Sequence, residues 1–265
     1  MVARTWIGGA NNDASNPGDW SPAGAPQPGD TLTMGSGTID VSGNDLAGDT
    51  LAVGRETASG PFAVADIATR GPTTLDLSVL LSTANVTVAP DSVLTLNAHV
   101  DAGYLNVSGG TLRFIGTSAF DAYKTVLSDT VIGNGTLDLY GGNATGAFME
   151  VKGAVGPGLT FNISSNGAGD AGLQIDHPGS FAGDIKLQSG FAAFIGLHAT
   201  NADLFGGILA MFDGARLVEL VRLTNPGASG LRIQQNSDGV MVSAGLGEYD
   251  QPGGIGTPVP LTVHT

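Results

Sequence analysis

Residues 135–139 read Gly-Thr-Leu-Asp-Leu, and the same phrase returns along the chain with small changes. It begins again at Gly37 (Gly-Thr-Ile-Asp-Val), at Gly110 (Gly-Thr-Leu-Arg-Phe) and at Gly183 (Gly-Asp-Ile-Lys-Leu). In each copy apolar and polar residues alternate, so two apolar side chains point to one face of a strand. The glycine before the strand gives the backbone the freedom to turn a sharp corner. Because each copy of the phrase gives a corner followed by a strand, the repeats predict coils that stack into a solenoid.

Short apolar runs bounded by turn residues fill most of the sequence, and helical periodicity is nearly absent. Between residues 136 and 184 the runs begin near 136, 148, 159, 172 and 184, about a dozen residues apart, which fits one strand and one turn per step. We therefore predict an all-β, single-domain β-solenoid of the parallel β-helix type. A β-sandwich has the same strand lengths and stays open as the alternative.

The composition excludes several classes of protein. Of 265 residues, 42 are glycine and none is cysteine, and 10 Lys and Arg stand against 24 Asp and Glu, which gives a net charge of −14. Without an excess of basic residues, we expect no nucleic-acid partner. No apolar run approaches the roughly 18 residues that span a membrane, so we expect no transmembrane segment. The absence of cysteine excludes disulfides and thiolate metal sites.

Three segments differ in composition along the chain. Residues 1–36 form a predicted N-terminal capping segment, 37–245 the solenoid, and 246–265 a Gly/Pro-rich tail with a terminal strand. Trp6 and Trp20 are the only tryptophans. Because large rings can cover the open end of a solenoid core, we assign both to the cap.

The terminal strand is a candidate for assembly. Val259, Leu261 and Val263 alternate along it, and Pro258 and Pro260 stand between them. Proline cannot donate to a ladder, so it blunts one edge while the other edge can pair. The strand would close its own solenoid or add to a neighbouring subunit. The chain has only three lysines, so its open edges carry little of the charge that prevents edge pairing.

The sequence contains no catalytic motif. Its four histidines lack ligand spacing, and neither a nucleophile elbow nor a phosphate-binding loop occurs, so we expect no catalytic site. A polysaccharide lyase or hydrolase on a solenoid would draw on charged residues of neighbouring coils. The candidates for that alternative are Asp138, Glu150, Lys152, Asp176, His177, Asp184 and Lys186.

Calcium is the ion that the sequence would suit. Asp13, Asn16 and Asp19 offer hard oxygen ligands within one loop. An ordinary turn rich in Asp and Asn explains the same residues more simply, because the phrase typical of a calcium-binding repeat occurs only once. Apart from calcium we expect no cofactor.

The opening block combines Trp6-Ile-Gly-Gly, Asp19-Trp-Ser and Pro26-Gln-Pro-Gly-Asp. These phrases resemble the opening segment of bacterial extracellular β-solenoids of the autotransporter-passenger and surface-adhesin type. The stretch Gly179-Ser-Phe-Ala-Gly-Asp-Ile-Lys-Leu also resembles a coil of such passengers. The resemblance implies an extracellular or cell-surface location. Neither a leader nor a C-terminal translocator barrel is recognisable, so we expect leaderless or non-classical export, or a fragment of a longer protein.

Together these observations predict a secreted or cell-surface structural β-solenoid. We expect it to self-assemble head-to-tail into an extracellular fibre or biofilm matrix, with the chain itself as its partner. Two alternatives stay open. One is a monomeric adhesin or carbohydrate-binding module that binds glycans or a cell surface, and the other is the polysaccharide lyase or hydrolase.

Overall fold

The computed structural model is a β-solenoid built almost entirely from strands, which confirms the predicted fold. It describes residues 2–9, 13–27, 29–34, 37–42, 50–53, 65–70, 76–77, 86–88, 93–96, 101–102, 105–107, 109–115, 125–142, 146–165, 171–224, 231–244 and 259–264. Within these ranges the helical segments are two short 3-10 turns, Pro17–Asp19 and Pro178–Ser180. Of the predicted tail 246–265, only residues 259–264 are among those described.

The strands are numbered along the chain. They begin with β1 (Ala3–Trp6), β2 (Trp20–Ser21), β3 (Thr31–Met34), β4 (Gly37–Ser42), β5 (Thr50–Val53), β6 (Ala65–Arg70), β7 (Asp76–Leu77), β8 (Val86–Val88) and β9 (Val93–Leu96). They continue with β10 (Asp101–Ala102), β11 (Leu105–Val107), β12 (Thr111–Ile115), β13 (Thr125–Leu127), β14 (Val131–Gly133), β15 (Thr136–Gly141), β16 (Ala147–Val151), β17 (Thr160–Ser165) and β18 (Ala171–Ile175). They end with β19 (Asp184–Leu187), β20 (Gly190–Ile195), β21 (Asn201–Phe205), β22 (Ile208–Asp213), β23 (Arg216–Thr224), β24 (Arg232–Gln235), β25 (Gly239–Ala244), β26 (Val259–Pro260) and β27 (Thr262–His264).

Successive coils stack in parallel on three sides. On the first side β7, β9, β12, β15, β17 and β19 pair in order within a ten-stranded sheet. On the second side β10, β13, β16, β18 and β20 pair in the same way within an eight-stranded sheet. The third side is narrower. There β11 pairs with β14, and isolated β-bridges join Val131 of β14 to Val155 and Val155 to Phe181 on the next two coils.

One coil of the regular part takes about 24 residues. On the ten-stranded sheet Leu112, Leu137, Phe161 and Ile185 are directly stacked, at spacings of 25, 24 and 24 residues. The predicted step of a dozen residues is therefore half a coil, because the runs alternate between the two large sheets. The Gly-Thr-Leu copies at 110 and 135 stack directly, and the copy at 183 lies in the same sheet with β17 between it and the copy at 135. The copy at Gly37 lies on β4, which pairs with β6 in a different sheet.

The core lies between the three sides and follows the stacking. The inward row of Leu112, Leu137, Phe161 and Ile185 is at most 1% exposed. The eight-stranded sheet contributes a second stacked and buried row, formed by Leu127, Val151, Ile175 and Phe194. Burying one such side chain contributes about 1.5–3 kcal/mol, so continuous apolar rows stabilise each coil on its neighbours.

Glycines at the corners allow the coils to approach closely. Gly133 ends β14 at φ +127°, a conformation that side chains rarely adopt, and its Cα faces the carbonyl oxygen of Val107 on the previous coil. Gly153 lies in the same way against the backbone of Asp129, where a Cβ would overlap the carbonyl group. At these two corners glycine is required because backbone stacks directly on backbone.

The predicted N-terminal cap contains a small sheet that packs two tryptophan rings together. β1 lies between antiparallel β2 and parallel β3, and the paired Trp6 and Trp20 rings meet edge to face with centroids 5.0 Å apart. Trp20 is 1% exposed and donates from its indole Nε1 to the Ala14 carbonyl, 2.8 Å away. Both rings are therefore part of the buried core, and their role as a cap stays a prediction.

The Asp30 carboxylate ties this cap together. It accepts hydrogen bonds from the Val2 N–H at 2.6 Å and from Arg4 Nε at 2.9 Å, and from the Gln27 N–H at 3.2 Å. Arg4 also donates to the Pro22 carbonyl at 3.1 Å. One buried ion pair therefore joins β1, the loop after β2 and the start of β3. The Arg4 hydrogen bond, followed by that from Val2, holds the pKa of Asp30 below its ordinary value of 3.8.

At the C-terminal end the strands reverse direction. β25 pairs antiparallel with β20, and β24 and β26 follow it at the edge of the eight-stranded sheet. On the ten-stranded sheet β23 is parallel to β19, but β22 and β21 continue antiparallel and β27 is outermost. The parallel coils therefore end in antiparallel hairpins.

We predict that Gly153→Ala destabilises the solenoid by about 2 kcal/mol, because its Cβ would be forced against the Asp129 backbone. Gly179→Ala is the matched control, since a Cβ at Gly179 meets nothing within 4 Å. Urea unfolding should show a lower midpoint for the first variant and an unchanged or higher one for the second. Equal midpoints for the two variants would contradict the close backbone stacking.

The Asp30 network predicts a pH dependence of stability. A carboxyl whose folded pKa is depressed contributes stability above its unfolded pKa and loses it as the pH falls through the lower folded value. We expect Asp30→Asn to lower the melting temperature at pH 7, and we expect this difference to shrink progressively as the pH falls below the unfolded pKa of the carboxyl. Asp238→Asn, in an exposed turn, is the control. Thermal unfolding by circular dichroism measures both variants, and a constant difference from pH 7 to pH 3 would contradict the prediction.

Candidate functional site

The outer surface of the ten-stranded sheet carries a ladder of polar side chains. Arg113, Asp138 and Asn162 occupy the same position on three consecutive coils. Arg113 Nε donates to Asp138 Oδ2 at 2.6 Å, and Asn162 Nδ2 donates to Asp138 Oδ1 at 2.7 Å. Gln188 Nε2 extends the ladder by donating to Asn162 Oδ1 at 2.8 Å. Asp138 is 3% exposed although it faces outward, because its neighbours cover it.

A shorter ladder lies on the eight-stranded sheet. Gln174 Nε2 donates to Glu150 Oε1 at 3.0 Å and to Asp176 Oδ1 at 2.7 Å. The Lys152 ammonium lies 3.6 Å from Glu150 Oε2. The carboxylates on both sheets are therefore held by amide and cationic donors of neighbouring residues.

The candidate residues of the enzyme alternative are divided between these two sheets. Asp138, Asp184 and Lys186 belong to the ten-stranded sheet, and Glu150 belongs to the eight-stranded sheet. Asp184 lies 3.5 Å from Arg222, so it also takes part in an ion pair. Among the described residues, no group of three or more His, Cys, Asp or Glu is placed to hold a metal ion.

The three calcium candidates have separate local surroundings. Asp13 Oδ1 accepts from the Ser15 N–H at 2.9 Å and from the Ser15 hydroxyl at 2.8 Å. Asn16 Oδ1 accepts from the Gly18 N–H at 3.1 Å and caps the first 3-10 turn. Asp19 is 4% exposed, and its carboxylate lies against Gly9. Two of the three side chains thus serve the turn itself, and calcium binding stays a prediction.

The predicted assembly strand is paired within the chain. Val259 pairs with Gln235 of β24, and Val263 pairs with Ala202 of β21. Leu261, between them, is 9% exposed, and its N–H donates to the Ile233 carbonyl at 3.0 Å. Residues 259–264 therefore pass from one large sheet to the other. They supply the outermost strand of both sheets at this end.

The N-terminal end has different chemistry. Its outermost strand, β2, has two residues and is followed by Pro22, which cannot donate to a ladder. Val2 and Ile7 flank β1 and are 41% and 61% exposed. This end therefore presents apolar side chains beside a very short strand edge.

An exposed apolar face lies on β21, β22 and β23, and it was not predicted from the sequence. Directly opposite residues of antiparallel strands share a face, and the outward pairs here are Phe205 with Ile208, Ala210 with Leu220, and Phe212 with Leu217. We call these six residues the apolar face. A signal was present, because residues 208–212 (Ile-Leu-Ala-Met-Phe) are apolar at every position and so cannot bury only one side.

The part of the chain that the structure describes contains no helix long and apolar enough to cross a membrane.

Comparison with known proteins gives one informative similarity. No protein-family model matches the chain, and no solved structure matches it significantly. Over 235 residues the chain is 28% identical to the adhesin BmaC autotransporter of Brucella suis biovar 1 (strain 1330). The match covers 81% of this chain and 6% of that adhesin, so the chain spans a small fraction of its relative. A β-solenoid that is similar to a segment of an autotransporter adhesin agrees with the resemblance of the opening block.

Proposed function

We propose that the chain is a non-enzymatic β-solenoid of a cell-surface or extracellular adhesin-type protein, and that it self-assembles head-to-tail into a fibre or matrix. The similarity to an autotransporter adhesin and the solenoid fold support the surface, adhesin-type role. The observation that carries the assembly proposal is that, among the described strands, residues 259–264 form the outermost strand of both large sheets.

A free sheet edge is a template for pairing with another chain. The outer sides of β26 and β27 face away from their own sheets, and outermost strands leave backbone donors and acceptors for a further strand. Pro260 removes one donor, but the adjoining residues of the segment keep theirs. Because the segment spans both sheets, one partner molecule could add to both edges.

The opposite end supplies a different contact surface. Val2 and Ile7 are exposed apolar side chains at the start of the solenoid. A contact between this end and the C-terminal edge joins unlike surfaces, so each added copy leaves a new free end. Such a heterologous contact does not close on itself and produces a filament. The net charge of −14 would oppose non-specific side-by-side association of such filaments at low ionic strength.

The proposal predicts that each end can be blocked by one charge. We expect filaments of the wild type at micromolar concentration in electron micrographs, and their loss in Ile7→Lys and in Thr262→Lys. Ala182→Lys, exposed on the third side, is the matched control and should still form filaments.

Mixing the two blocked variants sharpens the test. Each retains one functional end, so an equimolar mixture should form larger species by sedimentation than either variant forms alone. A wild type that forms no filaments under any condition, or a mixture whose species are no larger than those of the separate variants, contradicts head-to-tail assembly. A monodisperse wild type that binds a glycan array would support the monomeric adhesin or carbohydrate-binding alternative.

Calcium is tested on the same samples. If the N-terminal loop binds the ion, millimolar calcium should raise the melting temperature of the wild type, and Asp13→Asn should lose most of that rise. Magnesium at the same concentration controls for ionic strength. A melting temperature that does not respond to calcium removes calcium from the proposal without affecting assembly.

A further inference from the structure

The apolar face is unusual in the described part of the chain. Six large apolar side chains there are strongly exposed, and four of them belong to this face. Phe205 is 84% exposed, Leu220 49%, Leu217 47% and Ile208 39%. The two others are Val2 and Ile7 at the opposite end of the chain. Contiguous exposed apolar surface of this kind typically marks a place where another molecule binds.

The opposite face of the same strands is already buried. Leu209 and Met211 of β22 are fully buried, and Val221 of β23 is 2% exposed. These strands therefore have one face on the core and a second apolar face without a cover from the described residues. Solvent-facing strand positions are normally polar, so the outward pattern here is that of a buried sheet.

Charges of both signs surround the apolar face. Arg222 lies beside Ile208 on the β23 margin, and Asp203 lies beside Ala210 on the β21 margin. Arg216 is opposite Asp213 at the far end of the hairpin. Arg222 is 72% exposed and lies 3.5 Å from Asp184. The β23 margin carries the positive Arg222 and the β21 margin the negative Asp203, so two copies can bring opposite charges together if one margin faces the other.

We infer that the apolar face binds the same face of a second copy, about a twofold axis parallel to β22. This rotation places the β23 side of one copy over the β21 side of the other. Arg222 of one copy then lies over Phe205 of the other, and Asp203 is the next outward-facing residue on the same strand. The second copy makes the same contact in return. Two sheets packed in this way lie about 10 Å apart, with their apolar side chains between them.

This contact is lateral and goes beyond the proposed head-to-tail assembly. It uses neither residues 259–264 nor the N-terminal end. A twofold contact closes after two copies, so it pairs molecules, or filaments, side by side. The opposite charges on the two margins fix the register of the pair.

Sedimentation equilibrium of the Ile7→Lys variant isolates the lateral contact, because head-to-tail growth is blocked there. We expect a concentration-dependent dimer whose Kd rises at least tenfold when Phe205→Ser and Leu220→Thr are added. Both side chains are exposed, so these changes should leave the fold intact, which circular dichroism checks. Val2→Thr removes an exposed apolar side chain elsewhere and should leave the Kd unchanged.

A charge exchange tests the twofold arrangement. Arg222→Asp and Asp203→Arg should each weaken their own dimers, because each places like charges together. Mixed in equal amounts, the two single variants should form heterodimers of near wild-type affinity, since opposite charges then face each other at both margins. Heterodimers no tighter than the separate homodimers would overturn the arrangement.

Cross-linking locates the axis. The chain has no cysteine, so Ala210→Cys introduces a single thiol at the centre of the face. A short bis-maleimide should join two copies of this variant efficiently and should not join the Ala182→Cys control. A monomeric Ile7→Lys variant, or dimers that ignore the face substitutions, overturns the inference. If variants with Phe205→Ser and Leu220→Thr still form filaments, head-to-tail assembly is supported independently of the lateral contact. If the wild type forms dimers but no filaments, only the lateral contact is supported.

Discussion

In-register parallel stacking between coils is the constraint on which the rest of the structure depends. Because neighbouring strands are about 4.8 Å apart, every inward residue must fit the residues directly above and below it. Leu137 satisfies this requirement between Leu112 and Phe161. The same spacing leaves no room for side chains at some corners, where Gly133 and Gly153 lie against the preceding backbone.

Stacking also determines where polar residues are useful. Asp138 points outward, yet it is buried because Arg113 and Asn162 bond it from the coils on either side. The hydrogen bonds of such a ladder run along the solenoid axis and join one coil to the next. Its polar groups bond to one another and therefore have less capacity to bind another molecule. The candidate functional surfaces are therefore the ends and the antiparallel apolar face, where stacking stops and side chains have no covering coil.

Much of the fold could be predicted from the sequence. The runs predicted to begin near 136, 148, 159, 172 and 184 are β15 to β19, and each of these strands begins within one residue of the predicted position. β20 was not predicted, because Phe-Ala-Ala-Phe-Ile in residues 191–195 shows no alternation of apolar and polar residues. The third side was also missed, since β14 has three residues and continues only as single bridges. The apolar face was missed for the same reason as β20.

The sequence by itself determined the β class, the alternating inward residues and the corner glycines, because each of these depends on a few neighbouring residues. Only the tertiary structure decided that a coil has three sides and about 24 residues, and that the direction of pairing reverses after β20. It also decided that Leu261 is buried while Phe205 is exposed. These outcomes depend on which distant strands become neighbours, and local alternation carries no information about that choice.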